Sequence, residues 1–511
     1  MTQMVILPFI AAMVTAVASL AVKEKQVRDY VSTAGNILYS GLAVYLSLEV
    51  LGSGPLSYAL GGWEAPFGIT LLADELSAFM LLMTAVVSLA GNVYSSSFVS
   101  DDAKSSGYYV FLNFMLAGMT GAFLTADLFN LFVMFELVLL SSYALVSIRD
   151  NRRQLFTSLK YVVMNLLGSS FMLVAIGGIY GVTGSLNMAA ISRRLAQNPS
   201  MAGPVLGFSV LLFTVFALKS GLVPFHFWAP HVYSDSPAPA SAMMAGISKK
   251  VGIYAIIRVF VTVLGSTALG AKTLMPGLEV GAAIGTLLFV MSCATVLLGG
   301  VSAINRKTLD RILSYSSIGQ VGFITLPIAL FLTGAAESAL AASLVYTLSH
   351  SISKSGLFMA SGTIKKAAGT DSIEDLGGVS EADRTVATSF FVLAFSLVGI
   401  PPLLGFMGKL SVFRSAVSAG SPGALLVLLI GAVMTLLYFT KSWLSAFFGE
   451  VKSFDASEVS GREKAAIAFL AAVAITAGLA GGEVYSLAQQ GADAAADTQG
   501  YIDAVLGGET G

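Results

Sequence analysis

The chain has 511 residues, of which 56% are hydrophobic and 11% charged, with a mean hydropathy of +0.81 and a formal net charge of −1. A soluble domain carries about 25% charged residues, so charge this sparse over the whole length excludes a soluble fold and indicates an integral membrane protein. The near-zero net charge argues against a nucleic-acid partner, and the single cysteine, Cys293, excludes an internal disulfide, a Cys-rich zinc site and an iron–sulfur cluster.

A helix needs about 20 apolar residues to cross the bilayer core. The first such run, near 4–22, lacks a small-residue cleavage site and reads as a retained helix rather than a signal peptide. Further runs follow near 31–51, 68–95, 108–125, 128–147, 157–182, 204–229, 240–264, 278–300, 310–332, 336–362, 386–410, 423–447 and 464–486. The fold class expected is therefore all-α, with about fourteen transmembrane helices joined by short loops. The tail over 487–511, rich in Ala, Gly and Asp from Gln489 onward, reads as a polar surface appendage. With the N-terminus outside, the odd-numbered loops hold Lys23, Lys25, Arg28, Lys104, Arg149, Arg152, Arg153, Arg306, Lys307, Arg311, Lys365, Lys366, Arg384, Lys452, Arg462 and Lys464. The even-numbered loops hold only Arg193, Arg194, Lys272 and Arg414. The positive-inside rule then places both ends outside.

Several charges lie within the spans: Glu136, Lys219, Lys249, Lys250, Lys354, Lys409 and Lys441, with His350 in the same segment as Lys354. Each charge at the bilayer centre costs roughly 2.5–3.5 kcal/mol even on the gentle insertion scales. Snorkelling to an interface accounts for Lys441 and serves for Lys249, and Arg258, late in its span, is expected to reach an interface too. It does not serve Lys219, Lys250 and Lys354, which have apolar turns on both sides, so these read as functional. His350 and Lys354, four residues apart, share one helix face, whereas Lys249 and Lys250 point about 100° apart. Glu136 needs a cationic partner, and a lysine beside a movable carboxylate is a switchable proton site.

Two of these lysines adjoin helix breakers. "FALKSGLVPFHFWAP" interrupts its segment at Gly221 and Pro224, and "GIPPLLGFMGK" is interrupted at Gly399, Pro401 and Pro402. Broken helices in corresponding positions of two halves point to inverted repeats. Residues 1–107 would then form an N-terminal unit, 108–264 and 278–447 two inverted five-helix repeats, and 464–486 a last helix.

These pieces, together with "DLFNLFVMFELVLLSSYALV", "AMMAGISKKVGIYAIIR", "LDRILSYSSIGQVGF" and "LSHSISKSGLFMASG", resemble the antiporter-like subunits of respiratory complex I, membrane-bound hydrogenases and Mrp-type cation/proton antiporters. The resemblance covers roughly Asp74 to Lys441 and is strongest to the Mrp D-type subunit and its hydrogenase counterpart. It implies a proton-transfer axis of Glu136, Lys219, Lys250, His350, Lys354 and Lys409. The offsets from Gly252 and Tyr254 match the motif for Lys250 rather than Lys249. His226, His231, Asp235, Lys160 and Lys249 are candidate gating or proton-uptake residues. His231 stands where the family often has Asp, and Lys160 reads equally as an interface anchor. The resemblance implies partners among other membrane subunits, including homologous antiporter-like ones, with H+ and possible Na+ as cargo, in the lipid bilayer of a prokaryotic plasma membrane. It implies a transporter subunit rather than an enzyme.

Other chemistries leave little trace. "GFMGKLS" has the wrong glycine spacing for a phosphate loop and no preceding strand. Three histidines without a Cys or carboxylate cluster make a poor metal site. No cofactor is expected, so any redox chemistry belongs to a partner chain. The alternatives are a stand-alone secondary permease for an ionic solute, which needs a pocket rather than a line of charges, and a structural subunit whose ion pairs only hold helices together.

Overall fold

A computed structural model of the chain describes residues 2–148, 152–265, 273–275, 278–452 and 454–507. Arg149, Lys272 and residues 508–511 of the expected tail lie outside the described residues. In hydrocarbon every backbone N–H and C=O must be satisfied inside the protein, which makes apolar segments helical. The first six helices are α1 (Leu7–Ala21), α2 (Lys25–Ser53), α3 (Glu75–Phe98), α4 (Tyr108–Leu124), α5 (Leu128–Ser147) and α6 (Arg152–Thr183). A short amphipathic helix, α7 (Met188–Gln197), leads to α8 (Ala202–Ser220), α9 (Ala229–Asp235), α10 (Ala238–Met243) and α11 (Lys249–Ile256). Then come α12 (Val280–Ile304), α13 (Leu309–Leu332), α14 (Ser338–Ala368), α15 (Arg384–Val398), α16 (Leu404–Ser418) and α17 (Pro422–Phe447). The chain closes with α18 (Gly461–Leu479), α19 (Gly481–Ala496) and α20 (Thr498–Leu506). Small antiparallel hairpins pair Leu56–Ala59 with Thr70–Ala73 and Thr273–Met275 with Leu278–Glu279.

Helix starts follow the usual capping chemistry. Asp74 accepts from Ser77 N at 2.9 Å, Asp127 from Asn130 N at 2.8 Å, and Asp383 from Val386 N at 3.1 Å. Among the described residues nine helices are long and apolar enough to cross a membrane, ten if the bent pair α18–α19 counts as one. The other expected spans are helical but shorter, interrupted or polar: α4, the α10–α11 segment, α14 and the α15–α16 pair.

The centre of the bundle is α14, buried along almost its whole length. It packs on α3, α10, α13, α15, α16, α18 and α19. Small residues let neighbours close in. A Cβ on Gly299 of α12 would lie 2.3 Å from the backbone N of Gly319 in α13. The outer rows of α1, α6 and α17 are exposed and apolar, as at Val17, Leu166, Phe171, Leu429 and Val433, which suits contact with lipid or apolar protein.

The C-terminal segment departs from the sequence expectation. The last span ends at Leu479 rather than near 486, and the chain turns through 86° into α19. Residues 487–506 are not a loose appendage. Gly491, Ala488, Ala492 and Ala495 form a buried small-residue seam on α19, and α19 lies against α3 and α14. Ala and Gly at helical spacing read as composition bias in the sequence, but on a helix they are a close-packing face.

Candidate functional site

The first break shapes the surroundings of Lys219, in the last turn of α8. Gly221 adopts φ +73°, a left-handed stop open to glycine. The carbonyls freed by the break find side-chain donors, as the Trp228 indole donates to Leu218 O at 3.0 Å. The backbone N–H of Val223 donates to Thr295 Oγ1 at 2.9 Å. Lys219 is buried and faces the Phe135 ring, 5.8 Å from its centroid. Its Nζ donates to Ser169 Oγ at 3.2 Å, and the same hydroxyl donates to the Glu136 carboxylate. Glu136 and Lys219 are thus joined through a serine of α6.

The middle of the site hangs on α11, which lies between two π-helical stretches, Met244–Ser248 and Ile257–Val263. Such stretches are rare and cluster at functional positions. Lys250 Nζ donates to Ala245 O at 2.7 Å and lies 2.7 Å from His350 Nδ1 of α14. Lys249 is buried and does not snorkel, correcting the sequence expectation. It points into α13, donating to Ser317 O at 2.7 Å and to the Ser317 hydroxyl, with the Tyr233 ring 5.6 Å away. Those acceptors satisfy the charge within the protein, so no interface is needed.

His350 and Lys354 share a face of α14 but reach different neighbours. Lys354 Nζ donates to Leu313 O at 3.1 Å and to Ser316 Oγ at 2.7 Å. From Ser316 a string of neutral groups runs onward. Ser316 Oγ donates to Tyr438 OH at 2.7 Å, and Gln320 Nε2 donates to Tyr438 OH at 2.9 Å and to Thr435 Oγ1 at 3.1 Å. Tyr346 OH donates to Gln320 Oε1. Tyr346 packs against Phe323 with ring centroids 5.7 Å apart, and Lys409 Nζ sits 5.0 Å over the Phe323 ring.

Lys409 lies just past the second break, where Gly399 turns at φ +96° and Pro401 and Pro402 keep the chain non-helical. Its Nζ donates to Val398 O at 3.1 Å, a carbonyl freed by that break.

The candidate gating residues lie around α9. His226 is buried, with Nδ1 lacking a hydrogen-bond partner. His231 is exposed. Asp235 pairs with Arg153 at 2.7 Å and accepts from Thr157 at 2.7 Å. Lys160 is exposed, with Nζ 4.3 Å over the Phe156 ring. Lys441 is also exposed and donates to Ile304 O and Arg306 O.

Arg258 overturns its expectation. It is 1% exposed and does not reach an interface. Its Nη1 and Nη2 lie 2.7 Å from Asp74 Oδ2 and Oδ1, a two-pronged pair. The reason is the C-terminal segment, which covers this end of the helix. Tyr501 lies under the guanidinium at 5.1 Å, Thr262 donates to Ala495 O and Thr498 donates to Thr262 O, both at 2.8 Å.

Sequence reasoning missed Ser169, Ser316, Gln320, Tyr346, Tyr438 and Asp74. The first five are neutral and their partners lie in distant helices, so no local pattern marks them. Among the described residues no three His, Cys, Asp or Glu side chains come together as a metal ligand set.

The comparisons with known proteins agree with one another. A family described as NADH:quinone oxidoreductase/Mrp antiporter, transmembrane, matches residues 125–435. The chain is 33% identical over 509 residues to the D-type Na(+)/H(+) antiporter subunit of Alkalihalophilus pseudofirmus, covering 99% of this chain and 100% of that one. A chain of the Mrp complex of a Dietzia species superposes with a TM-score of 0.86 at 28% identity, over 99% of both chains. A chain of the membrane-bound sulfane sulfur reductase, an archaeal respiratory membrane complex, also gives 0.86, at 27% identity over 98% of this chain and 99% of that one. The chain is a multi-pass membrane protein that belongs to the NADH:quinone oxidoreductase/Mrp antiporter transmembrane family.

Proposed function

We propose that this chain is a proton-translocating, antiporter-like membrane subunit of a multisubunit Mrp-type Na+/H+ antiporter. It moves protons along Glu136, Lys219, Lys250, His350, Lys354 and Lys409. One observation carries the reading: ionisable groups from both halves of the chain, all buried except the half-buried Glu136, are linked by short polar contacts. Ser169 bridges Glu136 and Lys219, Lys250 meets His350 at 2.7 Å, and Ser316 leads away from Lys354. Ionisable groups are costly inside a membrane and cluster on ion and proton paths. His350 Nε2 and the hydroxyls of Ser349 and Ser353, beside this line, have no protein partner, leaving hydrogen-bonding capacity for water.

The subunit has about fourteen spans and two inverted repeats, and both ends lie outside in a prokaryotic plasma membrane. Helix breaks in corresponding positions of the two halves, after Ser220 and after Val398, support the repeats. Transport partners are other membrane subunits, with H+ and Na+ as cargo, and the chain itself is a transporter part rather than an enzyme. A redox-driven complex is the second reading, favoured by the equally high TM-score to the sulfane sulfur reductase chain. A stand-alone permease fits less well, because the charges form a line rather than ring a pocket.

The test is proton and sodium transport in vesicles carrying the intact complex, with Glu136→Ala and Lys219→Ala against wild type. Assembly is followed by co-purification. Both variants are expected to assemble and to lose transport. Normal transport by both assembled variants sinks the relay.

A further inference from the structure

Between Lys354 and Lys409 the polar string has a feature that a proton wire should not have. A hydroxyl relays a proton because one oxygen both donates and accepts. Lys354 can pass a proton to Ser316, and Ser316 can pass its own proton to Tyr438. Beyond Tyr438 the next group is the Gln320 amide, whose Nε2 donates to Tyr438 OH at 2.9 Å. That nitrogen already carries both its hydrogens and has no acceptor capacity. On the far side Gln320 Oε1 accepts from Tyr346. An amide can relay only by losing hydrogen from nitrogen while gaining one on oxygen, through a high-energy imidic acid. Donors therefore point at Tyr438 from both sides, and the string ends there.

Nothing about this spot is loose. Gln320, Tyr346 and Tyr438 are each at most 1% exposed. Thr435 gives the amide nitrogen a second acceptor at 3.1 Å, so both of its hydrogens are engaged. Tyr346 is held from the Lys409 side, where a Cβ on Gly408 would come within 2.8 Å of its ring. The break in the string thus lies between the last buried lysine of α14 and the lysine beyond the second helix break.

We propose that Gln320 is a positioning residue that keeps the proton path open-circuit between Lys354 and Lys409. Its amide fills the space between the Tyr346 and Tyr438 hydroxyls with a group that cannot relay a proton. Transfer past it requires α13 and α14 to shift enough for water to bridge the two tyrosines. The role of this block is to stop protons running down their gradient uncoupled from the other ion. The inference rests on the proton-axis reading above and names its control point.

The experiment measures passive proton leak, with no sodium gradient, in vesicles carrying the assembled complex. Gln320→Glu keeps the shape but supplies a carboxyl that takes a proton on one oxygen and releases one from the other. Gln320→Leu keeps the bulk and cannot relay. The expected result is a severalfold higher leak for Gln320→Glu, a wild-type leak for Gln320→Leu, and loss of the extra leak in Gln320→Glu combined with Tyr346→Phe. If Gln320→Glu does not assemble, Gln320→His carries the same test, since imidazole accepts on one nitrogen and donates from the other. An assembled relay variant that leaks no more than wild type overturns the proposal, and so does a leak equal in Gln320→Leu. Failure of the axis itself is read separately, from unimpaired transport in Glu136→Ala and Lys219→Ala.

Discussion

Four buried lysines end on main-chain carbonyls: Lys249 on Ser317, Lys250 on Ala245, Lys354 on Leu313 and Lys409 on Val398. A carbonyl does not titrate and carries no full charge, so it accepts from an ammonium or from a neutral amine alike. The contrast is Arg258, clamped by both oxygens of Asp74, where a formal ion pair holds the charged state. The first arrangement suits a group that loads and unloads a proton, and the second suits a fixed strut. Arginine stays protonated in proteins and lysine need not, which separates the two roles. Lys354→Arg is expected to assemble, keep the positive charge and lose ion-driven proton transport as fully as Lys354→Met. Recovery of transport in Lys354→Arg would show that only the charge matters and would deny Lys354 a transfer step. The lysines themselves were legible in the sequence because a cation in an apolar run stands out. Ser316, Gln320 and Tyr438 were not, because hydroxyls and amides in membrane helices are also ordinary interhelical glue.

Helix breaks matter here for what they free and for what they bring close. At the second break α16 starts against the end of α15: Gly405 N donates to Ser396 Oγ at 3.1 Å, and a Cβ on Gly405 would lie 1.7 Å from Ser396 O. No side chain fits there without moving α16, which carries Lys409. Gly405→Ala is therefore expected to lower stability by about 1–3 kcal/mol, as overpacking does, and to slow transport by displacing Lys409 from Val398 O. A thermal-unfolding midpoint and a transport rate on the purified complex check both, and a variant unchanged in both would show that α16 is free to shift. Gly399, Pro401 and Pro402 announced this break in sequence, because Pro and positive-φ Gly have local conformational consequences. The glycine that fits two helix ends together did not, since the clash it avoids is with a residue nine positions away. The π-helical turns around α11 were equally silent, and they set which neighbour Lys249 and Lys250 each meet. The bend after Leu479 went unseen for a related reason. Its stability lies in α19 packing on α3 and α14, and no feature of the Ala-rich segment alone specifies that surface.

Across the whole molecule the relay reading makes a claim about order. Ser169, between Glu136 and Lys219, belongs to the first half of the chain, and Ser316, beyond Lys354, belongs to the second. Removing either hydroxyl weakens one link and leaves the charged groups in place, so Ser169→Ala and Ser316→Ala are each expected to slow transport partially. Mutations far apart and without shared partners normally add in free energy and so multiply in rate. Links of one serial path behave differently. The slower link limits the flux, and weakening a second, faster link costs little more. The double variant Ser169→Ala/Ser316→Ala is therefore expected to transport at nearly the rate of its slower parent, not at the product of the two fractional losses. Initial rates of sodium-driven proton movement in vesicles, normalised to assembled complex, distinguish the two patterns. A multiplicative double variant would mean that the halves act on a shared barrier, and the polar contacts at Ser169 and Ser316 would then hold the fold together without being on the route the proton takes.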